Sequence, residues 1–324
     1  MRKLIPILGA AALALTGCTT SHSASEGSAD SADAERLHVL ASFYPLRYLA
    51  EQVGGDLVTV TSLTPAGAEP HDLELSPAQV ADIGKADAVV YLSGFQPSVD
   101  SAIQESAPPH VYDAADDADL RAAADQDHAD HDHDHGEPDH DHGDHDPHHH
   151  DHGGIDPHFW LDPERMAHVA EHLAETLGDA APEHAETFST NAHRLAGELE
   201  SLKGEFDKGL ATCTHDTVIV AHEAYGYLLA DYGLTQVGLS GLDPEAEPSP
   251  ATLAHVKSLM ADRGVTTIFT ESLINPKAAE VFAAETGADT AVLDPLESQV
   301  DAGKDYRDVM RENLAALRTA LECQ

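Results

Sequence analysis

Four polar residues of this 324-residue sequence stand where α/β proteins keep their chemistry. His71 lies in PAGAEPHDLELSP, shortly after a strand-like run that ends near Leu63. His158 lies in DPHFWLDP, just ahead of a helix-like run. His222 directly follows the run TVIVA, and Asp294 directly follows TAVL and precedes Pro295. Imidazole suits zinc, copper and nickel, and a carboxylate can complete a tetrahedral zinc shell. Taken singly, each residue has a plainer reading. An isolated histidine is more often a surface or core residue than a ligand, and an aspartate before proline suits a turn. His168, His172, His184, His193 and His255 sit in helical patterns and read as ordinary helix residues.

A denser collection of ligands lies at residues 127–154, DHADHDHDHGEPDHDHGDHDPHHHDHGG, where eleven histidines stand among ten carboxylates. The histidines are His128, His131, His133, His135, His140, His142, His145, His148, His149, His150 and His152. Ligating residues recur at nearly every position, so many pairings are equivalent and none is unique. Glycine, proline and charge deny the run a fixed core. It is expected to hold several weak, exchanging zinc ions, as a buffer or as a sensor of excess.

The elements that must position the four isolated residues alternate. Leu37–Phe43 reads as a strand, Pro45–Val53 as a helix, Val58–Leu63 as a strand, Pro77–Lys85 as a helix and Ala88–Leu92 as a buried strand. Ser76-Pro77 is a good N-cap and first-turn pair. This βαβαβ order implies a parallel sheet. A helix opens at Asp162-Pro163. In Pro182–Leu210 the apolar residues Phe188, Ala192, Leu195, Leu199, Leu202, Phe206 and Leu210 form one stripe, predicting a helix of roughly 42 Å at 1.5 Å per residue. The second half repeats the alternation: strands at Thr217–Ala221, Gln236–Leu239, Thr267–Thr270 and Thr290–Leu293, with helices at Tyr225–Tyr232, Ser249–Arg263, Pro276–Thr286 and Tyr306–Glu322. The expected architecture is two α/β lobes, 36–180 and 211–324, each with a parallel sheet flanked by helices. The helix at 181–210 joins them, and a disordered insertion at 113–154 interrupts the first lobe. Ligands of open α/β sheets bind beyond the carboxyl ends of the strands, so the four residues would face one interlobe cleft.

The chain carries 58 acidic and 17 basic residues, a formal charge of −41. That excludes a basic nucleic-acid footprint and favours cations. Residues 113–151 alone hold fifteen carboxylates against the single Arg121. The N-terminus, MRKLIPILGAAALALTGC, has two basic residues and then an apolar run as long as a signal sequence but too short to span a membrane. Its ending, Leu15-Thr16-Gly17-Cys18, resembles a bacterial lipobox. Residues 1–17 would then be removed, Cys18 would carry the lipid, and the Ser/Ala/Asp-rich 18–35 would be a flexible tether. In such an oxidising compartment the remaining Cys213 and Cys323 are expected to pair.

Six ordered motifs carry a resemblance. GAEPHDLELSP, DPHFWLDP, HEAYGYLLADYGL, GLDPEAEPSP, FTESLINPK and LDPLE resemble, from about Leu37 onward, the metal-binding lipoproteins of bacterial ABC importers. The zinc-specific branch (ZnuA/AdcA type, solute-binding protein family 9) is the most similar. The resemblance implies two α/β lobes on a backbone helix, and it places the family's three histidines on His71, His158 and His222 and its C-lobe aspartate on Asp294. Some zinc members use water or another carboxylate in the aspartate's place, and Glu69 is the reserve ligand. Manganese-type relatives typically carry glutamate where this chain has His222, and a third imidazole favours zinc over a harder ion. The implied function is capture of Zn²⁺ at the outer face of the cytoplasmic membrane and delivery to an ABC permease and its ATPase, by a monomer held to the membrane only through its lipid. A manganese or iron carrier is the alternative. An exported zinc hydrolase is the remote one, because His222-Glu223 begins an HExxH-like pattern but Gly226 replaces its second histidine.

Overall fold

The structure is a computed structural model that describes residues 36–122 and 154–324. Cys18, the tether and the eleven histidines of the dense run lie outside the described residues. Two four-stranded parallel sheets organise the rest. The first has the order β2-β1-β3-β4, from Leu37–Ala41 (β1), Val58–Ser62 (β2), Ala88–Tyr91 (β3) and Val111–Asp113 (β4). A two-stranded antiparallel ladder follows, pairing Arg121–Ala122 (β5) with Ile155–Asp156 (β6). The second sheet has the order β10-β9-β7-β8, from Thr217–Val220 (β7), Thr235–Gly238 (β8), Thr267–Thr270 (β9) and Asp289–Val292 (β10).

The two sheets share one core. Strand side chains alternate between faces, and in β1 that sends Val39 and Ala41 one way and Leu40 the other. In β7 it sends Val218 and Val220 inward and Ile219 outward. The inward sets, from both sheets, belong to a single apolar cluster, while each outward set has its own smaller cluster under its covering helices. The helices on the shared side are Tyr44–Gly54 (α1), Pro163–Ala180 (α4), Ala185–Gly209 (α5) and Tyr306–Ala320 (α9). The stripe from Phe188 to Phe206 is fully buried. Through it α5 packs along α4 and touches both α1 and α9, one helix from each half.

Several elements differ from the sequence reading. The helix Pro97–Ser106 (α3) and β4 follow β3, extending the first sheet by one strand. The long helix does not begin at Pro182, because Pro182–His184 forms a 3₁₀ turn ahead of α5. Residues 113–122, read as the start of a disordered insertion, carry a 3₁₀ turn at Ala114–Asp116 and then β5. Buried Ala114 and Ala118 and the Tyr112 hydroxyl, which donates to Asp117, anchor this stretch despite its acidity. The remaining helices are Pro77–Ile83 (α2), Gly226–Ala230 (α6), Pro250–Arg263 (α7) and Lys277–Thr286 (α8). Ser76 closes a full capping box with Gln79 on α2. Cys213 and Cys323 form a disulfide that ties the chain's end to the loop before β7. Among the described residues no helix is long and apolar enough to cross a membrane.

Candidate metal centre

His71 sits in the loop after β2, and His158 sits between β6 and the 3₁₀ turn Phe159–Leu161. His222 lies two residues past the carboxyl end of β7, and Glu297 lies in the loop past the carboxyl end of β10. These four residues converge. The Nε2 atoms of His71, His158 and His222 lie 3.2, 3.3 and 3.3 Å from one oxygen of Glu297. The Nε2 atoms of His158 and His222 are 3.4 Å apart. Four ligands held about 2.1 Å from one ion at tetrahedral angles are separated by about 3.4 Å. The group therefore has the dimensions of a zinc shell.

Second partners aim two of the rings. His158 Nδ1 faces Asp156 Oδ1 at 2.8 Å, and His222 Nδ1 faces Glu271 Oε1 at 2.7 Å. A carboxylate behind Nδ1 places the proton there and turns the Nε2 lone pair inward, which is how metal-binding imidazoles are commonly oriented. Glu271 directly follows β9, and Asp156 is a residue of β6. Phe43, Phe95 and Trp160 form an aromatic floor, with Phe95 edge-on to His71 and Trp160 against His158.

His158 and His222 are fully buried and Glu297 is 1% exposed, whereas the His71 side chain retains 17% exposure. Its neighbour Glu69 is 20% exposed, so these two side chains are the part of the group that reaches solvent. Burial would raise the Glu297 carboxyl, but hydrogen bonds from the three imidazoles outweigh it and hold the group well below the usual carboxylate range. Burial also works against charge on His222, yet Glu271 and Glu297 overcome it and push this imidazole up to about 10. His158 is raised in the same way, burial being outweighed by Asp156 and Glu297. His71, with no carboxylate behind it, is lowered by burial. Three carboxylates, Asp156, Glu271 and Glu297, surround the three imidazoles, so a divalent cation that displaces the imidazole protons would be offset by the acidic groups around it.

The sequence points to Asp294 for the fourth position, and the structure brings Glu297 together with the three imidazoles. Asp294 does not face the imidazoles: its Oδ1 accepts the backbone N–H of Leu296 at 2.8 Å, an Asx-type turn. Glu297, missed in the sequence, stands three residues on in the same LDPLE stretch. Glu69 is close, with Oε1 3.9 Å from His71 Nε2, but that oxygen also accepts the His71 backbone N–H. Burial and the nearby Glu297 raise Glu69 to about 8, so it is largely protonated at neutral pH. The supporting carboxylate Glu271 could have been found by the strand-end rule, since it directly follows TIFT.

The described chain resembles known proteins along nearly its whole length. Residues 39–320 match the family model of ZnuA, the periplasmic component A of zinc-uptake complexes. The sequence is 34% identical over 291 residues to the zinc-binding lipoprotein AdcA of Streptococcus pneumoniae, covering 87% of this chain and 55% of that protein. This chain thus spans little more than half of that relative. It is 32% identical over 322 residues to the high-affinity zinc uptake system protein ZnuA of Bacillus subtilis, covering 97% of this chain and 96% of that one. Among solved structures, Zn(II)-bound AdcA of S. pneumoniae superposes with a TM-score of 0.71 at 31% identity, over 89% of this chain and 58% of that one. The chain belongs to the ZnuA family of zinc-binding components of uptake complexes.

Proposed function

We propose that this protein is the extracytoplasmic capture component of a zinc importer, binding one Zn²⁺ between His71, His158, His222 and Glu297 and releasing it to an ABC permease driven by its ATPase. The observation that carries the reading is the convergence of three Nε2 atoms within 3.3 Å of one buried carboxylate oxygen. Three imidazoles and one carboxylate form a borderline donor set, better matched to zinc than to manganese. The Zn(II)-bound AdcA relative supports the same ion. The lipid on Cys18 would hold the protein at the outer face of the membrane, and the histidines of 127–154 would buffer zinc there. Competition calorimetry tests the assignment. Zinc should bind tighter than manganese at one site, and His71→Ala with His158→Ala and His222→Ala should abolish that site. Manganese binding tighter than zinc would overturn it. Deleting residues 127–152 should remove weak equivalents and leave the tight one, and loss of the tight site would refute the division of roles.

A further inference from the structure

We infer that His168, His172 and Asp117 form a second, exposed site for a borderline divalent cation such as Zn²⁺, separate from the interlobe centre. Among the described residues, these three and the interlobe four are the groups of at least three His, Cys, Asp or Glu whose ligating atoms all lie within 4.8 Å of one another. His168 and His172 are one turn apart on α4, so both rings leave the same helix face, with centroids 4.4 Å apart. Asp117 reaches them from the turn after the 3₁₀ segment Ala114–Asp116. Its Oδ1 lies 3.7 Å from His172 Nε2, close to the roughly 3.4 Å between ligands of one tetrahedral ion.

The outer contacts orient this group as they do in the interlobe centre. His172 Nδ1 faces the backbone carbonyl of His168 at 3.0 Å, which keeps the proton on Nδ1 and the lone pair on Nε2. The Tyr112 hydroxyl donates to Asp117 Oδ2 at 3.0 Å, leaving Oδ1 to face the imidazoles. A simple His172–Asp117 ion pair would explain one of these contacts but not the second imidazole set edge-on beside it. The adjoining pocket adds Asp119, Glu164, Glu171 and Asp231 against Arg121 and Arg165, and Arg165 is itself paired with Asp119. The local field therefore favours a cation. With three protein ligands and an exposed His168, water completes the shell, so binding is weaker and faster than at the buried centre. Arg121, which opens β5 four residues after Asp117, lines the same pocket.

Zinc-edge anomalous diffraction on crystals of the full chain, grown with zinc in excess, tests the proposal. The expected result is a peak about 2.0–2.2 Å from ligand atoms of all three residues, alongside a peak at the interlobe centre. The double variant His168→Asn with His172→Asn should lose the first peak, keep the second, and bind one zinc fewer by equilibrium dialysis. A filled interlobe centre with no density at α4, or density held by one of the three residues alone, would overturn the second site. A peak at α4 with an empty interlobe centre would instead remove the functional reading above and leave this site standing.

Discussion

Asp294 accepts the backbone N–H of Leu296 through Oδ1 at 2.8 Å, and by doing so aims the next residue, Glu297, at three imidazoles. Leu296 is held at φ 59°, a left-handed conformation that is unfavourable for a branched side chain by about 1–2 kcal/mol. Neighbouring contacts hold the strained turn in place. Asn313 of α9 donates to the Asp294 carbonyl and accepts its N–H, Trp160 Nε1 donates to the Pro295 carbonyl, and the Tyr225 hydroxyl donates to the Leu293 carbonyl. Residues from both halves of the chain thus fix one carboxylate.

Substitutions at the two acidic positions should separate these roles. Glu297→Gln keeps the shape but removes the charged ligand, and zinc affinity should fall about 100-fold, or roughly 3 kcal/mol. Asp294→Asn retains an acceptor for Leu296 and should stay within about threefold of wild type, whereas Asp294→Ala loses the bond and about 1 kcal/mol of stability. Competition calorimetry and thermal melts on the three variants check this. A larger affinity loss in Asp294→Asn than in Glu297→Gln would make Asp294 the ligand.

The carboxylates behind the rings should matter almost as much as the ligands. Asp156→Asn and Glu271→Gln leave every metal-facing atom in place but remove the charge that orients His158 and His222. Each should weaken zinc about 10- to 100-fold, the range for such outer partners. Gly226→Ala should act through the same route, because a Cβ there would lie 2.9 Å from Asp156 Oδ2. Zinc affinities equal to wild type in all three variants would show that the rings are aimed by packing alone.

The sheets were legible because both faces of a parallel strand are buried, so TVIV and AVVY read as apolar runs. The three histidines were legible because their loops leave strand or helix ends that sequence patterns mark. Glu297 was not, because its direction depends on a left-handed Leu296 held by Asn313, Trp160 and Tyr225, contacts that join residues far apart in the chain. The first carboxylate after the strand was the natural choice, and it serves the turn instead. α3 and β4 escaped notice for a similar reason: α3 buries only Val99, Ala102 and Ile103, and β4 has three residues. His168 and His172 read as plain helix residues because their third partner, Asp117, comes from a turn whose fold the acidic composition concealed.

Breaking the Cys213–Cys323 disulfide should lower stability without opening the metal centre. The bond closes a span of 110 residues, and removing such a crosslink costs about 2–4 kcal/mol, mainly through a freer unfolded chain. The native end remains tied by backbone bonds from Gln324 to Thr212 and from Thr214 to Leu321. Cys213→Ser with Cys323→Ser should therefore melt roughly 4–10 °C lower and bind zinc as wild type does. An unchanged melting temperature would show that these backbone contacts suffice.

Zinc binding should release protons and strengthen with pH. All three imidazoles must offer a bare Nε2, yet Glu271 and Glu297 hold His222 up at about 10 in the metal-free chain, and His158 is raised by Asp156 and Glu297. At neutral pH zinc must displace at least one proton, so affinity should climb about tenfold per pH unit for each proton released. Stability of the metal-free chain runs the other way. His222 is raised above its ordinary 6.5, so its contribution is complete below that value and is lost as pH rises toward 10. His71, lowered by burial, opposes this only at acidic pH. The zinc-induced rise in melting temperature should consequently be larger at pH 9 than at pH 6. Calorimetry at pH 7.5 in buffers of different ionisation enthalpy counts the protons directly, and a binding enthalpy independent of buffer would show that the imidazoles are already neutral.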